Sequence, residues 1–213
     1  IMFPKTEKYR NQSIEYVIYI PEGKTVSFDE NSKEKMKASN IMSWDKIHQN
    51  TTDMKWMMKV NGLFSEAWND KYHYTKEVAT EKYAKIIIES GFDVIITKSD
   101  KPAFTFEGNK DVIESISVRN LEGTLSVAND TNEEIIDITI KIQTPSLELI
   151  QFDGIRSAKV EGFSQDHLKL ICNGNDYGHG DTKIDFMVNI KNMDVSMDGN
   201  QTLHLTGSGD ILD

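Results

Sequence analysis

The sequence of 213 residues predicts an all-β protein whose C-terminal two-thirds forms a β-solenoid behind an N-terminal capping region rich in β-hairpins. Three observations favour this fold class. Short apolar–polar–apolar strands recur after Pro145, and glycine and Asn or Asp follow each of them within a few residues. Residues 135–143 (IIDITIKIQ) alternate with the period of a half-buried strand. Runs of β-branched and aromatic residues, bounded by turn residues, fill most of the chain from Tyr83 onward.

The charge balance and the cysteine content exclude several classes of protein. The chain carries 34 acidic and 24 basic residues, a formal charge of −10, which disfavours binding to nucleic-acid phosphates or to anionic lipid. A single cysteine, Cys172, excludes an intrachain disulfide and a cysteine-based zinc cluster. Its neighbours, residues 170–174 (LICNG), predict a strand that runs into a turn, and therefore a buried structural thiol rather than a nucleophile.

The chain lacks the sequence signals of an anchor or an exported precursor. It contains no run of about eighteen apolar residues, and it begins at Ile1 without the apolar core of a signal peptide. We therefore expect an excised soluble part of a longer protein.

Residues 1–80 predict a β-rich cap and linker. Residues 13–28 predict a hairpin around the turn residues Pro21-Glu22-Gly23-Lys24. Residues 29–40 are charged and lack an apolar stripe, so they predict a short exposed helix or a loop. Residues 53–64 fit either a helix or two strands, and the Asn61-Gly62 pair favours strand, turn and strand.

A polar connection over residues 69–81 marks the predicted boundary with a solenoid domain of residues 81–213. This domain begins with two strands around a Ser90-Gly91 turn. Residues 111–118 fit either a helical turn or a strand. The remaining predicted strands are residues 103–107, 121–127 and 135–143.

One short phrase recurs after Pro145, as Leu147-Glu148-Leu149, Leu168-Lys169-Leu170, Val195-Ser196-Met197 and Leu203-His204-Leu205. The first interval, roughly twenty residues, is the length of one solenoid coil. The later intervals are irregular, so either the last coils contain insertions or the phrases lie on different faces. Corners require positive φ or side chains that bond their own backbone. The predicted structural corners are Gly154, Gly174, Asp176, Gly199, Gly207, Gly209 and Asp210.

These features resemble the head GIN domain family, described as auto-transporter adhesins, over about Tyr83 to Asp213. The resemblance rests on residues 92–97 (FDVIIT), residues 104–109 (FTFEGN), the Leu-x-Leu strands and the closing residues 207–211 (GSGDI). It implies a right-handed parallel β-helix. The corner of that family, Gly-Ser-Gly-Asp, is replaced by CNGND at residues 172–176 and by MDGN at residues 197–200, so the register of those coils stays open.

The N-terminal region is similar to the envelope-side tail of PspC-like membrane proteins of the Bacteroidetes type. The similarity rests on residues 18–26 (IYIPEGKTV) and 56–63 (WMMKVNGL). It implies membrane helices upstream of Ile1 and a location in the periplasm or at the cell surface.

Acidic residues beside glycines invite comparison with a β-helical lyase or hydrolase, in which paired carboxylates act as acid and base. The candidates are Asp176, Asp181, Asp198 and Asp210. Turn chemistry explains them better, because none of the three arginines lies in these corners to bind an acidic sugar.

No metal or cofactor is expected. Residues 178–181 and 207–210 are isolated partial matches to a calcium-binding Gly-x-Gly-x-Asp repeat. The five histidines are scattered, and His204 should point outward from its strand. No phosphate loop, dinucleotide fingerprint or nucleophile elbow occurs.

The sequence therefore favours a non-catalytic, envelope-associated module of the adhesin type that presents flat strand faces to a protein or glycan partner. Exposed strand edges also favour self-association. A stress-sensing tail of a membrane protein and a carbohydrate-active enzyme are the alternatives. The tryptophans and tyrosines before the solenoid predict a packed cap rather than a sugar-stacking platform; they are Trp44, Trp56, Trp68, Tyr72 and Tyr74.

Overall fold

A computed structural model describes residues 18–29, 31, 54–60, 62–129, 138–174 and 182–212. The chain divides into two compact units, Ile1–Ser65 and Glu66–Asp213. Several sequence predictions lie wholly or partly outside the described residues: the first strand of the N-terminal hairpin, the segment 29–40, Trp44, residues 135–137, Asp176 and the segment 177–181.

The first unit contains an antiparallel sheet of three strands, β1 (Thr25–Ser27), β2 (Lys55–Lys59) and β3 (Gly62–Phe64). The predicted strand–turn–strand is confirmed, because Lys59 pairs with Gly62. The predicted turn before β1 is present, with the Lys24 amide donating to Pro21 O at 3.2 Å. The hairpin prediction differs from the structure, because β1 pairs with β2 and the described residues before Pro21 form no strand.

The described residues of the second unit form one eleven-stranded sheet and two short helices. A helix, α1 (Glu66–Tyr72), and a strand, β4 (Tyr74–Glu77), occupy the segment that was predicted to be a connection. Residues 111–118 contain both predicted structures, a helix, α2 (Lys110–Ser115), followed by a strand, β8 (Ile116–Leu121). The elements are α1 (Glu66–Tyr72), β4 (Tyr74–Glu77), β5 (Lys85–Glu89), β6 (Asp93–Lys98), β7 (Ala103–Gly108), α2 (Lys110–Ser115), β8 (Ile116–Leu121), β9 (Thr124–Asn129), β10 (Thr139–Thr144), β11 (Leu149–Asp153), β12 (Ser157–Asn173), β13 (Thr182–Asp198) and β14 (Gln201–Leu212).

Three long strands, β12, β13 and β14, join two halves of this sheet. The N-terminal part of β12 pairs with β6, and its C-terminal part pairs with β11. The first half-sheet has the order β4-β7-β10-β6-β12-β13-β14, and the second has the order β8-β9-β5-β11-β12-β13-β14. Most neighbours are parallel, but the pairs β4/β7, β7/β10 and β8/β9 are antiparallel. The result is a curled half-barrel of mixed strands.

The prediction of a right-handed parallel β-helix, a solenoid, is therefore wrong. In a solenoid each coil stacks on the coil that precedes it in the chain. Here β6 lies between β10 and β12, and β11 lies between β12 and β5, so neighbouring strands do not follow chain order. Antiparallel pairs at the sheet edges also have no place in a parallel solenoid.

The recurring Leu-x-Leu phrases do not mark equivalent coil positions. Leu149 lies opposite Lys169, so the register differs by one residue from the alignment of Leu147 with Leu168. Leu203 lies opposite Ile184 in the first half-sheet. The last phrase therefore lies in the first half-sheet, whereas Leu168-Lys169-Leu170 and Val195-Ser196-Met197 lie side by side in the second.

The curled sheet encloses a single hydrophobic core because its strands alternate between inward apolar and outward polar residues. Burial of each large apolar side chain contributes roughly 1.5–3 kcal/mol. Tyr83 connects three segments at the margin of this core: its hydroxyl donates to Ala103 O at 3.1 Å and to Gln143 O at 3.0 Å, and its carbonyl accepts from Thr144 Oγ1 at 2.9 Å. Burial raises the pKa of the Tyr83 hydroxyl to about 12.

Glycines mark the places where the long strands pass between half-sheets. The pairing of β12 with β13 shifts register next to Gly162, which has φ +84°. The pairing of β13 with β14 shifts near Gly207 and Gly209, at φ +143° and +153°. A Cβ at Gly207 would lie 1.6 Å from Val188 O, so this approach requires glycine.

Two glycine substitutions should separate backbone strain from close packing. Gly123 and Gly199 have similar φ, +76° and +93°, but a Cβ at Gly123 meets no atom within 4 Å, whereas one at Gly199 lies 2.9 Å from Gly174 Cα. We expect Gly123→Ala to cost about 1–2 kcal/mol through positive φ alone. Gly199→Ala should lower the free energy of unfolding, measured in urea, by more than Gly123→Ala does. Equal losses would contradict the close approach between the ends of β12 and β13.

Candidate binding surface

The outward side of the first half-sheet forms a regular surface, and its part on β10, β6, β12, β13 and β14 is named outer face A here. Its central row runs across five strands as Lys141, Ile95, Lys159, Asp185 and His204, each residue paired with the next. Because neighbouring strands lie about 4.8 Å apart, this row spans roughly 20 Å. The predicted outward orientation of His204 is confirmed, since its side chain is 68% exposed.

Two parallel rows flank the central row on outer face A. One contains Thr139, Asp93, Ser157, Lys183 and Thr202. The other contains Gln143, Thr97, Glu161, Met187 and Thr206. The three rows place donors, acceptors and one exposed thioether on a grid.

Outer face A is charge-balanced although the chain is strongly acidic. Its three lysines offset its three acidic residues. Ion pairs hold several of these groups: Lys141 Nζ lies 2.6 Å from Glu107 Oε1, and Lys159 Nζ lies 2.8 Å from Glu161 Oε2. His204 Nδ1 is 3.4 Å from Asp185 Oδ1. Such exposed pairs contribute at most about 1 kcal/mol each, so they orient side chains more than they stabilise the fold.

Asp93 is the most strongly held acid on outer face A. Its Oδ1 accepts hydrogen bonds from Arg156 Nε at 3.0 Å and from Ser157 Oγ at 2.6 Å, and its Oδ2 contacts Arg156 Nη2. Burial tends to raise the pKa of this carboxyl, but the bonds from Arg156 and Ser157 outweigh burial and hold the pKa below its ordinary value. The network fixes the start of β12 against β6.

The outward side of the second half-sheet, named outer face B, is held by cross-strand side-chain bonds. A row of Glu89, Asp153, Asn173 and Asp198 lies at its edge. Asn173 Nδ2 donates to Asp153 Oδ1 at 2.5 Å, and Gln151 Nε2 donates to Asp153 Oδ2 at 2.8 Å. These bonds engage Gln151, Asp153 and Asn173 with one another.

Three of the predicted corner glycines lie at strand ends. Gly154 connects β11 to β12 with φ +70°, and its amide donates to Asn173 O at 2.9 Å. Gly174 follows β12, and its amide donates to Asp198 O at 2.6 Å. Gly199 lies between β13 and β14.

The other predicted corner residues lie elsewhere. Gly207 and Gly209 are within β14, where the strand passes between half-sheets. The backbone of Asp210 lies opposite Asn192 in the same strand, and Asp176 lies outside the described residues.

The candidate catalytic carboxylates are not brought together where the structure describes them. Asp198 ends β13, whereas Asp210 lies opposite Asn192, six residues earlier in β13. At about 3.3 Å per residue their backbones are roughly 20 Å apart. An acid–base pair on a sugar requires about 5–10 Å. Asp176 and Asp181 lie outside the described residues.

Within the described ranges, no group of three His, Cys, Asp or Glu side chains could hold a metal ion, and no helix is long and apolar enough to cross a membrane. Two of the aromatic residues that were predicted to form a cap are buried. Trp56 is buried in the first unit. In the second unit Trp68 is buried, with its ring 5.2 Å from that of Tyr72 and 5.0 Å from that of His73.

The sequence reasoning did not find the Asp93–Arg156 network or the grid of outer face A. The alternation in residues 93–97 and 157–161 was a visible signal that Asp93 and Ser157 face outward. Their adjacency required the non-sequential strand order, which no local pattern encodes.

Residues 82–213 match the family model described as "Putative auto-transporter adhesin, head GIN domain". This match covers more than half of the chain. The chain belongs to the head GIN domain family. Residues 1–70 match the model described as "ToastRack found in some PspC", so both resemblances drawn from the sequence are confirmed.

Solved structures share the fold of this head GIN domain protein. A putative adhesin from Bacteroides fragilis aligns with a TM-score of 0.57 and 20% identity over 63% of this chain and 62% of that one. This chain thus spans less than two-thirds of that protein. A putative adhesin from Parabacteroides distasonis aligns with a TM-score of 0.50 and 13% identity over 67% of this chain and 70% of that one. No curated protein matches the chain in sequence.

The Asp93 network predicts a pH-dependent contribution to stability. Because the folded-state pKa of Asp93 lies below its unfolded value, the contribution is present above about pH 4 and is lost as the pH falls through the folded-state pKa. We expect Asp93→Asn to lower the free energy of unfolding at pH 7 by about 1.5–3 kcal/mol.

Urea titrations measure the free energy of unfolding of Asp93→Asn and of the unsubstituted chain. The difference between the two free energies should become smaller as the pH is lowered. Asp185→Asn, in the exposed pair with His204, is the control and should have little effect at either pH. A gap that stays constant from neutral pH to pH 3 would show that the Arg156 pairing does not supply the stabilisation.

Cys172 should be chemically inert in the folded protein. Its side chain is fully buried, and burial, with a smaller effect of Asp153, raises the pKa of its thiol to about 12. At pH 8 the thiolate is therefore scarce, and a disulfide reagent should label Cys172 only after urea unfolding. Ser196→Cys, on exposed outer face B, provides the control and should add one immediately reactive thiol. Equal labelling rates for both thiols in the folded state would contradict this burial.

Proposed function

We propose that this protein is a non-catalytic binding module of the cell envelope, displayed in the periplasm or at the cell surface, that holds a protein or glycan partner on outer face A. The observation that carries the proposal is the charge-balanced grid of this face. In a chain of formal charge −10, such a face can approach an anionic envelope component without net repulsion. Membership of the head GIN domain family and the PspC-tail match support the envelope assignment.

The geometry of outer face A suits recognition by many modest contacts. Extended strands fix the backbone, so side chains at alternate positions are held about 6.6 Å apart along each strand and about 4.8 Å apart across strands. The exposed Lys159, Asp185 and His204 lie side by side in the central row of this grid, from its middle strand to β14. They offer a donor, an acceptor and a group that does both.

The stress-sensing tail of a membrane protein is the second candidate function. The match of residues 1–70 to a domain found in some PspC proteins favours it. In that case outer face A would bind an envelope component and report its state to the parent protein. A carbohydrate-active enzyme is less well supported, because Asp198 and Asp210 lie roughly 20 Å apart.

Substitution of three neighbouring side chains in the central row of outer face A tests the proposed function. The variant Lys159→Ala/Asp185→Ala/His204→Ala should bind envelope fragments of a Bacteroides species, and glycans immobilised from them, at least tenfold more weakly than the unsubstituted chain. The matched control, Lys169→Ala/Asp194→Ala/Ser196→Ala, removes three exposed side chains from outer face B and should retain binding. Biolayer interferometry gives the affinities.

Circular dichroism should show equal folding, because substitutions at exposed sites usually change stability by less than about 0.5 kcal/mol. Loss of binding in both variants, or in neither, would contradict a role for outer face A. Absence of any binding by the unsubstituted chain would contradict the module itself.

A further inference from the structure

Three neighbouring strands of outer face B end in the same way, with Asp or Asn as the last residue of the strand and glycine after it. The three pairs are Asp153-Gly154 in β11, Asn173-Gly174 in β12 and Asp198-Gly199 in β13. Asn173 lies opposite Asp153 on one side and opposite Asp198 on the other. Because neighbouring strands are about 4.8 Å apart, a neutral amide here separates two carboxylates.

An Asn-Gly pair can lose ammonia without an enzyme. Asn is chemically labile, above all before glycine, whose missing Cβ leaves the backbone nitrogen uncrowded. This nitrogen attacks the side-chain carbonyl carbon of Asn and forms a C–N bond, while the side-chain nitrogen leaves as ammonia and takes up the proton of the backbone N–H. Water then opens the cyclic imide to Asp or isoaspartate. The chain has two such pairs, Asn61-Gly62 and Asn173-Gly174.

The folded chain holds both reacting groups of Asn173-Gly174 in place. The Gly174 amide donates to Asp198 O at 2.6 Å, and Asn173 Nδ2 donates to Asp153 Oδ1 at 2.5 Å. Ring closure also requires the Asn173 backbone to leave its extended conformation. A Cβ at Gly174 would lie 2.9 Å from Gly199 Cα, so the closely packed strand ends oppose this movement. The Asn173 side chain is exposed, so burial does not shield it.

Deamidation would replace the neutral residue of this row by a carboxylate. The new group would face Asp153 and Asp198 on the two neighbouring strands, and Asp153 Oδ1 would lose its donor. Like charges so placed repel one another and destabilise the sheet. An isoaspartate would also lengthen the backbone of β12 by one carbon and disturb its register with β13.

From these features we propose that Asn173-Gly174 is a latent modification site, which the folded sheet protects and which deamidates once the end of β12 separates from β13. Such local opening precedes or accompanies unfolding of the whole unit. A chain that has stayed open for long then carries an added carboxylate in this row and does not regain its full stability, so the reaction records unfolding irreversibly. The proposal concerns outer face B and is independent of what outer face A binds.

Mass spectrometry of the peptide that contains Asn173 tests this proposal on the full 213-residue chain. The chain is incubated at mildly alkaline pH, either folded or unfolded in guanidinium chloride, and deamidation and isoaspartate are measured over time. Asn173 should react at least tenfold more slowly in the folded chain. In guanidinium chloride Asn173 and Asn61 should react at similar rates, because both precede glycine. This comparison does not depend on the folding of a variant.

Two glycine variants test whether the packed strand ends provide the protection. Gly199→Ala forces the end of β13 away from Gly174 and should speed deamidation of Asn173 in the folded chain at least threefold. Gly123→Ala is the matched control, because Gly123 has a similar positive φ but its Cβ would meet no atom within 4 Å. It should leave the rate at Asn173 unchanged.

A third comparison measures the effect of the product. Asn173→Asp carries the added charge, whereas Asn173→Ser loses the same amide without adding one, so Asn173→Asp should unfold at a lower concentration of urea. The difference between the two midpoints should shrink in about 1 M NaCl, which screens exposed charges. Equal deamidation of Asn173 in the folded and unfolded chain, equal rates in the two glycine variants, or equal midpoints for Asn173→Asp and Asn173→Ser would each overturn the proposal.

Discussion

The curl of the main sheet depends on one constraint, that β12, β13 and β14 each belong to two half-sheets at once. A single sheet with one apolar face must bury that face, and here it folds over itself because the long strands change direction at Gly162, at Asn189–Asn192 and at Gly207–Gly209. The same strands pair again on the far side of each bend after a register shift, so the two half-sheets share their long strands. The core and the outer faces follow from this arrangement.

Local elements were largely predictable from the sequence because their signals are local. The strands β5, β6, β7 and β10, the Ser90-Gly91 turn and the two strands of residues 53–64 followed from alternation and turn chemistry, as did the burial of Cys172. Helix α1 was missed because its seven residues bury only Trp68 and show no apolar stripe. The predicted arrangement of the strands was wrong, because the position of β6 between β10 and β12 depends on contacts between residues distant in sequence.

In the candidate binding surface, too, the local features were predictable from the sequence and the strand arrangement was not. That His204 faces outward was evident from its two leucine neighbours, whereas its position beside Asp185 required the β13–β14 register. The sequence predicted these glycines only as corner residues, for the general reason that corners require positive φ. At Gly207 the reason is specific, since a neighbouring carbonyl leaves no room for a side chain. Outer face A therefore emerges only when alternation, which the sequence displays, is combined with strand order, which it does not.

The strand order has a consequence for how the chain reaches its fold. Val94 of β6 lies between Ile140 and Ala158, and Ile86 of β5 lies next to Ile150, so the strands that flank β5 and β6 follow them by dozens of residues. During synthesis β5 and β6 emerge long before those neighbours exist. Pairings so distant in sequence form slowly, and until they form two isoleucine-rich strands stay exposed to other chains. The period of greatest vulnerability to aggregation thus falls before β12 has left the ribosome.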